Sequence, residues 1–443
     1  MWTECSRRDL LRRAGAGFGA AALASILGRD AWGQSHHPAK ARAVVWLFME
    51  GGPSGVDLFD PKPALDRGHG RRVEGIQPFF GDPGPLMKSP FAFRRWGRSG
   101  LAVSEPYAAL GPHADDLALV RSCHAESNNH APAMYQMNTG LPRMGFPSVG
   151  SWVTYGLGTE NRGLPGFVVL GNRRGTKGGP GNWGAGFLPT SHQGTLFRAD
   201  GPPALNLRPA DDRQRRLLDA VRALNEEHRS TRAEPELEGR IESFELAYRM
   251  QSEALALSGD RPTAEERRLY GLDQERTRPF GAKCRLARQL VERGVRFVQV
   301  YCDDEWDAHT DLKGNHEARC AETGVPIAGL LTDLKRRGLL ESTLVVWGGE
   351  FGRMPVSEKG GGRDHNPEGF LVWMAGGGVR GGTSYGETDE IGHKAAVDPV
   401  TVHDLHATIL HLLGLDHTRL THVHNGRRFR LTDVSGQVLT KLL

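Results

Sequence analysis

Residues 43–61 read Ala-Val-Val-Trp-Leu-Phe-Met-Glu-Gly-Gly-Pro-Ser-Gly-Val-Asp-Leu-Phe-Asp-Pro, and the fold follows from how this stretch divides. Seven apolar residues, Ala43 to Met49, stop abruptly at Glu50-Gly51-Gly52-Pro53. An apolar run without polar alternation, closed by glycines, marks a strand buried on both faces, as in a parallel sheet covered by helices. Comparable runs recur at 117–120, 167–170, 295–301, 343–347 and 370–374. Helical patterns fall between several of them, at 282–293 and 318–337. Strands alternating with helices predict an α/β sandwich with a mostly parallel central sheet. The block 208–278 breaks this rhythm. It is dense in Arg and Glu, with Leu217, Leu218, Val221 and Leu224 at helical spacing, and reads as a helical insertion within a single domain, 34–443. Glycine-rich stretches at 171–186, 359–363 and 376–382 read as loops.

The 443 residues are 38% apolar and 24% charged, with mean hydropathy −0.44, values of a folded soluble chain rather than a disordered or multi-span one. Before the first strand comes an address. Arg7-Arg8, then Arg12-Arg13, precede an apolar, small-residue stretch from Ala14 to Leu27, with Ala31-Trp32-Gly33 as a cleavage site. A twin-arginine pair before an apolar segment too short to span a bilayer is the layout of a bacterial Tat signal. The expectation is export by the Tat machinery to the periplasm or beyond, with residues 1–33 removed and no stable membrane span afterwards. The remaining chain carries 51 basic and 49 acidic residues, a net charge of +2 that gives no field for gripping nucleic acid. Four cysteines remain: Cys123, Cys284, Cys302 and Cys320. None has zinc-finger spacing. An oxidising compartment allows one disulfide, with Cys302 and Cys320 nearest in sequence, but spacing does not fix pairing.

In doubly wound sheets, functional groups sit just beyond the carboxyl ends of strands, and several of these runs end in clusters. The first leads into Glu50, Ser54 and Asp57; the second into Cys123-His124-Ala-Glu126-Ser127-Asn128-Asn129-His130. The 295–301 run leads into Asp303-Asp304-Glu305-Trp306-Asp307-Ala308-His309. The 343–347 run leads into Glu350-Phe351-Gly352-Arg353, with Arg363-Asp364-His365 soon after. Carboxylates and imidazoles converging from several strands suit a divalent metal. Alone, Asp307-x-His309 is also a loop with a satisfied histidine, and Asp364-His365 an Asx-turn. Seven histidines lie between 393 and 424; His403 and His406 share a helix face and form either a metal pair or part of an amphipathic helix ending at Gly414. There is no G-x-S-x-G elbow and no P-loop, which removes the central features of serine hydrolases and NTPases.

These clusters carry a resemblance. Phe48-Met-Glu-Gly-Gly-Pro-Ser-Gly-Val-Asp57, Leu290–Val298, Trp306-Asp-Ala-His309, Trp347-Gly-Gly-Glu-Phe-Gly-Arg353, Gly362-Arg-Asp-His365 and His403-Asp-Leu-His-Ala-Thr408 resemble domain-of-unknown-function family 1501, secreted proteins of planctomycete-type bacteria. That family is similar to the alkaline phosphatase and sulfatase superfamily. The resemblance covers nearly all of 40–443. It implies an alkaline-phosphatase-like three-layer sandwich holding one or two divalent ions (Zn, Mn, Ca or Mg) and acting on phosphate or sulfate esters, with an anionic ester or sulfated glycan as substrate. Carried onto this chain, Asp57 or Glu50 supplies the first metal carboxylate, and Asp307 with His309 an Asp–His element. Glu350 takes the place of an aspartate, with Phe351 where a histidine is expected, and Asp364-His365 supplies the last ligands. Thr139-Gly140 puts His130 at the nucleophile position, with Ser127 as the fallback. Arg353 or Arg363 would neutralise the anionic ester. Two other readings stand beside hydrolysis: a degenerate, non-catalytic relative that binds an anionic glycan or a partner protein, and an esterase or amidase on the same scaffold.

Overall fold

The computed structural model describes residues 35–79, 81, 83–204, 211–231 and 235–443. The twin-arginine segment lies outside them. Nine strands form one sheet: from one edge Thr383–Tyr385, Leu117–His124, Phe370–Ala375, Thr343–Gly348, Ala43–Phe48, Phe297–Tyr301, Phe167–Leu170 and Thr195–Phe197, with Val400–Thr401 also paired to Leu117–His124. Phe370–Ala375 is antiparallel to both of its neighbours, and every other pairing is parallel.

Each strand of the sheet centre is buried throughout, so alternate side chains feed two separate cores. Val45, Leu47, Val298, Val300, Val345 and Trp347 face one helical layer, which includes Arg278–Glu292 and Leu312–Arg336. Val44, Trp46, Phe48, Phe297, Tyr301 and Val346 face the other, built on His130–Thr139, Val149–Leu157 and Val402–Leu412. The result is a three-layer α/β/α sandwich. Helices also occupy Asp212–Thr231, Pro235–Gly259 and Ala264–Leu269. Among the described residues no helix is long and apolar enough to cross a membrane. Cys123, Cys284, Cys302 and Cys320 are all free and buried, so the Cys302–Cys320 bridge that the spacing allowed is not formed.

Sheet register decides what meets at the carboxyl edge. Phe48 lies level with both Tyr301 and Gly348, so Glu50, Asp303 and Glu350 each stand two residues beyond the same line. The antiparallel strand begins at this edge: Phe370 is level with Cys123. Arg363–His365 therefore reaches the edge by preceding a strand, not by following one as the sequence pattern suggested.

Candidate metal centre

The turn after Ala43–Phe48 is where backbone geometry sets the site. Gly51 and Gly52 have φ of 107° and 79°, and a Cβ on Gly51 would lie 2.5 Å from the Trp306 nitrogen. Only glycine permits that approach. It brings the Gly51 amide to Glu350 Oε1 at 2.9 Å, while Trp306 N donates to Glu50 O at 2.8 Å. Arg363 N donates to Ala308 O at 2.9 Å, tying the 363–365 segment to the 307–309 loop.

His130 opens its helix behind Asn129. The far end of that helix is held by the C-terminal histidines: His406 Nε2 donates to Met137 O and His403 Nε2 to Gly140 O, both at 2.8 Å. Burial lowers His406 to a pKa of about 3, so it is neutral. The pair acts as helix supports within the amphipathic helix, which carries a Thr401–Asp404 capping box, and not as a metal pair.

Asp307 is the hub. Its Oδ1 lies 2.7 Å from Arg353 Nη2, 3.1 Å from His309 Nε2 and 3.3 Å from His365 Nε2, and its Oδ2 lies 3.1 Å from His130 Nε2. His130 Nδ1 reaches Glu350 Oε1 at 2.6 Å. Burial alone would lower the pKa of His130, but the two carboxylates overcome it and raise it to about 9. His309 Nε2 and His365 Nε2 are only 2.9 Å apart. Their other nitrogens are engaged: His365 Nδ1 donates to Asn128 O and His309 Nδ1 to Glu358 Oε2, both at 2.7 Å. Asp364 Oδ1 is 3.8 Å from His309 Nδ1 and accepts from His365 N at 2.8 Å. Two sets of side chains stand close enough to share an ion: His130, Asp307 and His365, and His309, Asp364 and His365. Asp307 and His309 keep 22% and 28% of their side-chain surface, so the cluster opens to solvent.

Other expected residues lie elsewhere. Asp57 is fully buried and held by Arg363 (Nε–Oδ2 2.8 Å, Nη2–Oδ1 3.1 Å) and by the Ser54 hydroxyl at 2.5 Å. It belongs to neither ion-sharing set, and its charge is already matched. Arg353 donates to Gly52 O, Arg363 O and Gly51 O as well as to Asp307, with no exposed side-chain surface. Neither guanidinium is available to a substrate, which corrects the ester-neutralising role expected of one or the other. Ser127 forms a small turn, its Oγ accepting from Asn129 N at 3.1 Å, and no contact joins it to Asp307. Phe351, in the place of an expected histidine, packs its ring against His365 and His130 at 4.4 and 4.9 Å.

Three contributors escaped the sequence reading. Glu358 orients His309 from a glycine-rich loop with no distinguishing pattern. Phe79 stacks on His365 at 5.6 Å. Lys177, from the glycine-rich 171–186 loop, places Nζ 2.7 Å from Glu305 and 3.7 Å from Asp307 Oδ2, and its amide donates to Glu50 Oε1 at 2.8 Å. Glu50 Oε2 is buried without a partner, and burial raises the Glu50 pKa to about 7.

With this geometry in view, the comparisons take their place. The family described as "Protein of unknown function (DUF1501)" matches residues 41–443, and the chain belongs to it. Among solved structures the chain is similar to the PsFucS1 sulfatase from Pseudoalteromonas sp. (14% identity, 84% of this chain and 68% of that one, TM-score 0.36). It is also similar to the alkaline phosphatase from the Antarctic bacterium TAB5 (10%, 86% and 99%, 0.35) and the phosphonate monoester hydrolase of Agrobacterium radiobacter (11%, 84% and 74%, 0.39). Among curated proteins none matches.

Proposed function

We propose that the protein is an exported, divalent-metal-dependent hydrolase of phosphate or sulfate esters. One observation carries the reading. With both Nδ1 atoms engaged as donors, the Nε2 atoms of His309 and His365 face each other across 2.9 Å, and Asp307 Oδ1 lies within 3.3 Å of both. Three acceptors so close repel unless a cation or a proton lies among them. Imidazole and carboxylate donors, oriented through their other atoms by Glu358, Asn128 and His130, suit Zn²⁺ or Mn²⁺. The buried Oε2 of Glu50 has no partner and lies at the same edge.

Asp307, His309 and His365 would hold the ion, with Asp364 beside them. When bound it supplies Lewis-acid polarisation of the ester oxygen. Lys177, about one-third exposed beside Asp307, takes over the anion-neutralising role that Arg353 and Arg363 cannot fill. His130, whose ring nitrogens face Asp307 Oδ2 and Glu350 Oε1, would donate a proton to the leaving oxygen. Turnover of aryl phosphate and aryl sulfate esters by metal-loaded protein tests this, with His130→Ala expected to lose at least about a hundredfold in kcat. No turnover from fully loaded protein would refute it. Phe351 favours the second reading, a non-catalytic binder of an anionic glycan, because it removes a polar group from the site. Metal retention without turnover of any ester would select that reading.

A further inference from the structure

A second concave site lies away from the metal centre. A cavity of about 50 Å³ is lined by Arg143, Arg427, Arg430, Phe146, Phe187 and Phe429, among others. It borders Thr139, the last residue of the helix that begins at His130, which sets it on the order of 14 Å from the catalytic edge at 1.5 Å per residue.

Its chemistry is unusual for a surface. Asp433 is the only acid in the lining, against three arginines. That acid is spent, since its carboxylate accepts from Arg427 at 2.9 Å and its carbonyl from Arg430. Arg143 is exposed, lies over the Phe146 ring at 5.1 Å, and among the described residues pairs with no carboxylate. Arg427 lies over Phe429 at 4.7 Å. Phe187 stacks nearly parallel to His422 and His424, with interplanar angles of 17° and 18°, and meets Phe429 at 4.7 Å. Half-buried ring faces alternating with guanidinium groups offer apolar contact to one face of a planar or ring-shaped unit and paired donors to its anionic substituents. The cavity exceeds the ~10–15 Å³ that one water needs, and suits one compact oxyanion.

We propose that this cavity binds a sulfate group of a sulfated polysaccharide, holding the chain while another of its esters occupies the metal centre. The identity of that chain rests on the hydrolase reading; the binding measurement does not. An anionic bilayer fits less well, because the rings form a recess and not a protruding tip. A single-stranded nucleic acid would need a longer basic track.

Calorimetric titration with a sulfated glycosaminoglycan, with the same polymer after desulfation, with anionic phosphatidylserine vesicles and with an oligonucleotide tests the proposal. The sulfated polymer should bind, and Arg143→Glu should weaken it about tenfold or more, as expected for losing a charge-assisted contact. Arg428→Glu makes the same charge change next to Arg427 but outside the lining and should stay within about twofold. In a His365→Ala background, with the metal centre disabled, Arg143→Glu should still weaken binding about tenfold or more. Both arginine variants should keep the wild-type melting temperature. Equal loss in Arg428→Glu, no loss in Arg143→Glu, equal binding of the desulfated polymer, or tighter binding of vesicles or oligonucleotide would overturn the site. Absence of ester turnover alongside intact, Arg143-dependent binding would sink the hydrolase reading and support this one.

Discussion

Asp307 carries contacts from Arg353, His130, His309 and His365, and its pKa is pushed well below the usual carboxylate range: burial opposes this, but the His130, His365 and Arg353 contacts dominate. A depressed carboxyl contributes stability above its unfolded value and loses it as pH falls. His130 works the other way. With a folded pKa of about 9, its contribution is complete below the unfolded value near 6.5 and disappears as pH rises through 9. Glu50 acts in a lower window: burial holds its folded value at about 7, above the unfolded 4.5, so its penalty builds between about pH 4.5 and 7 and stays constant above that. Metal-free protein should therefore melt progressively lower between pH 6.5 and 9. Glu50→Gln should raise the metal-free melting temperature at pH 8 and leave it unchanged at pH 4. A melting temperature flat across this range, or a stabilisation equal at both pH values, would show that these groups are not set as described.

Among the elements, the turn 51–57 and the 353–363 segment are locked together by charge. Arg363 and Asp57 form a fully buried pair, and removing one partner leaves an uncompensated charge, which costs about 3–5 kcal/mol. Arg363→Ala should show that loss in denaturant melts, whereas an apolar replacement of both residues should recover much of it. Stability equal to wild type in the single variant would mean that Asp57 is compensated some other way. In the same core as Phe59, which follows that turn, Trp373 is fully buried and stacks on Trp347 at 5.8 Å. Trp373→Ala should cost about 3–5 kcal/mol through the cavity it leaves. The helix 402–412 supports the site from behind: His406→Ala frees the Met137 carbonyl in a buried setting and should cost about 1–3 kcal/mol, read in the same denaturant melts.

Across the whole molecule, the layered fold was legible because its signals are local. The 43–48 run is apolar on both faces because helices cover both, and the same holds at 297–301 and 343–348. The reversal of 370–375 was not legible, since a buried strand reads the same in either direction, and this placed Arg363–His365 before its strand and not after one. Within the site, His130, Asp307, His309, Glu350, Asp364 and His365 were named from strand ends and from family resemblance. What a motif cannot reveal is how a charge is spent. Asp57 and Arg363 neutralise each other, and Arg353 is consumed by backbone carbonyls 300 residues away in sequence. Glu358, Lys177 and Phe79 sit on loops whose residue types carry no period, so only the folded chain brings them to the histidines.

The metal is the claim on which the chemistry depends, and elemental analysis of purified mature protein, reloaded with Zn²⁺ or Mn²⁺ and freed of excess ion, tests it most directly. Asp307, His309 and His365 supply donors from two loops held by buried contacts, so the wild type should retain a stoichiometric divalent ion. Asp307→Asn and His365→Ala should each lose at least about tenfold in metal affinity while remaining folded by circular dichroism. Asp57→Asn should retain the ion. A wild type that holds no metal after reloading, or variants at 307 and 365 that hold as much as the wild type, would contradict the account.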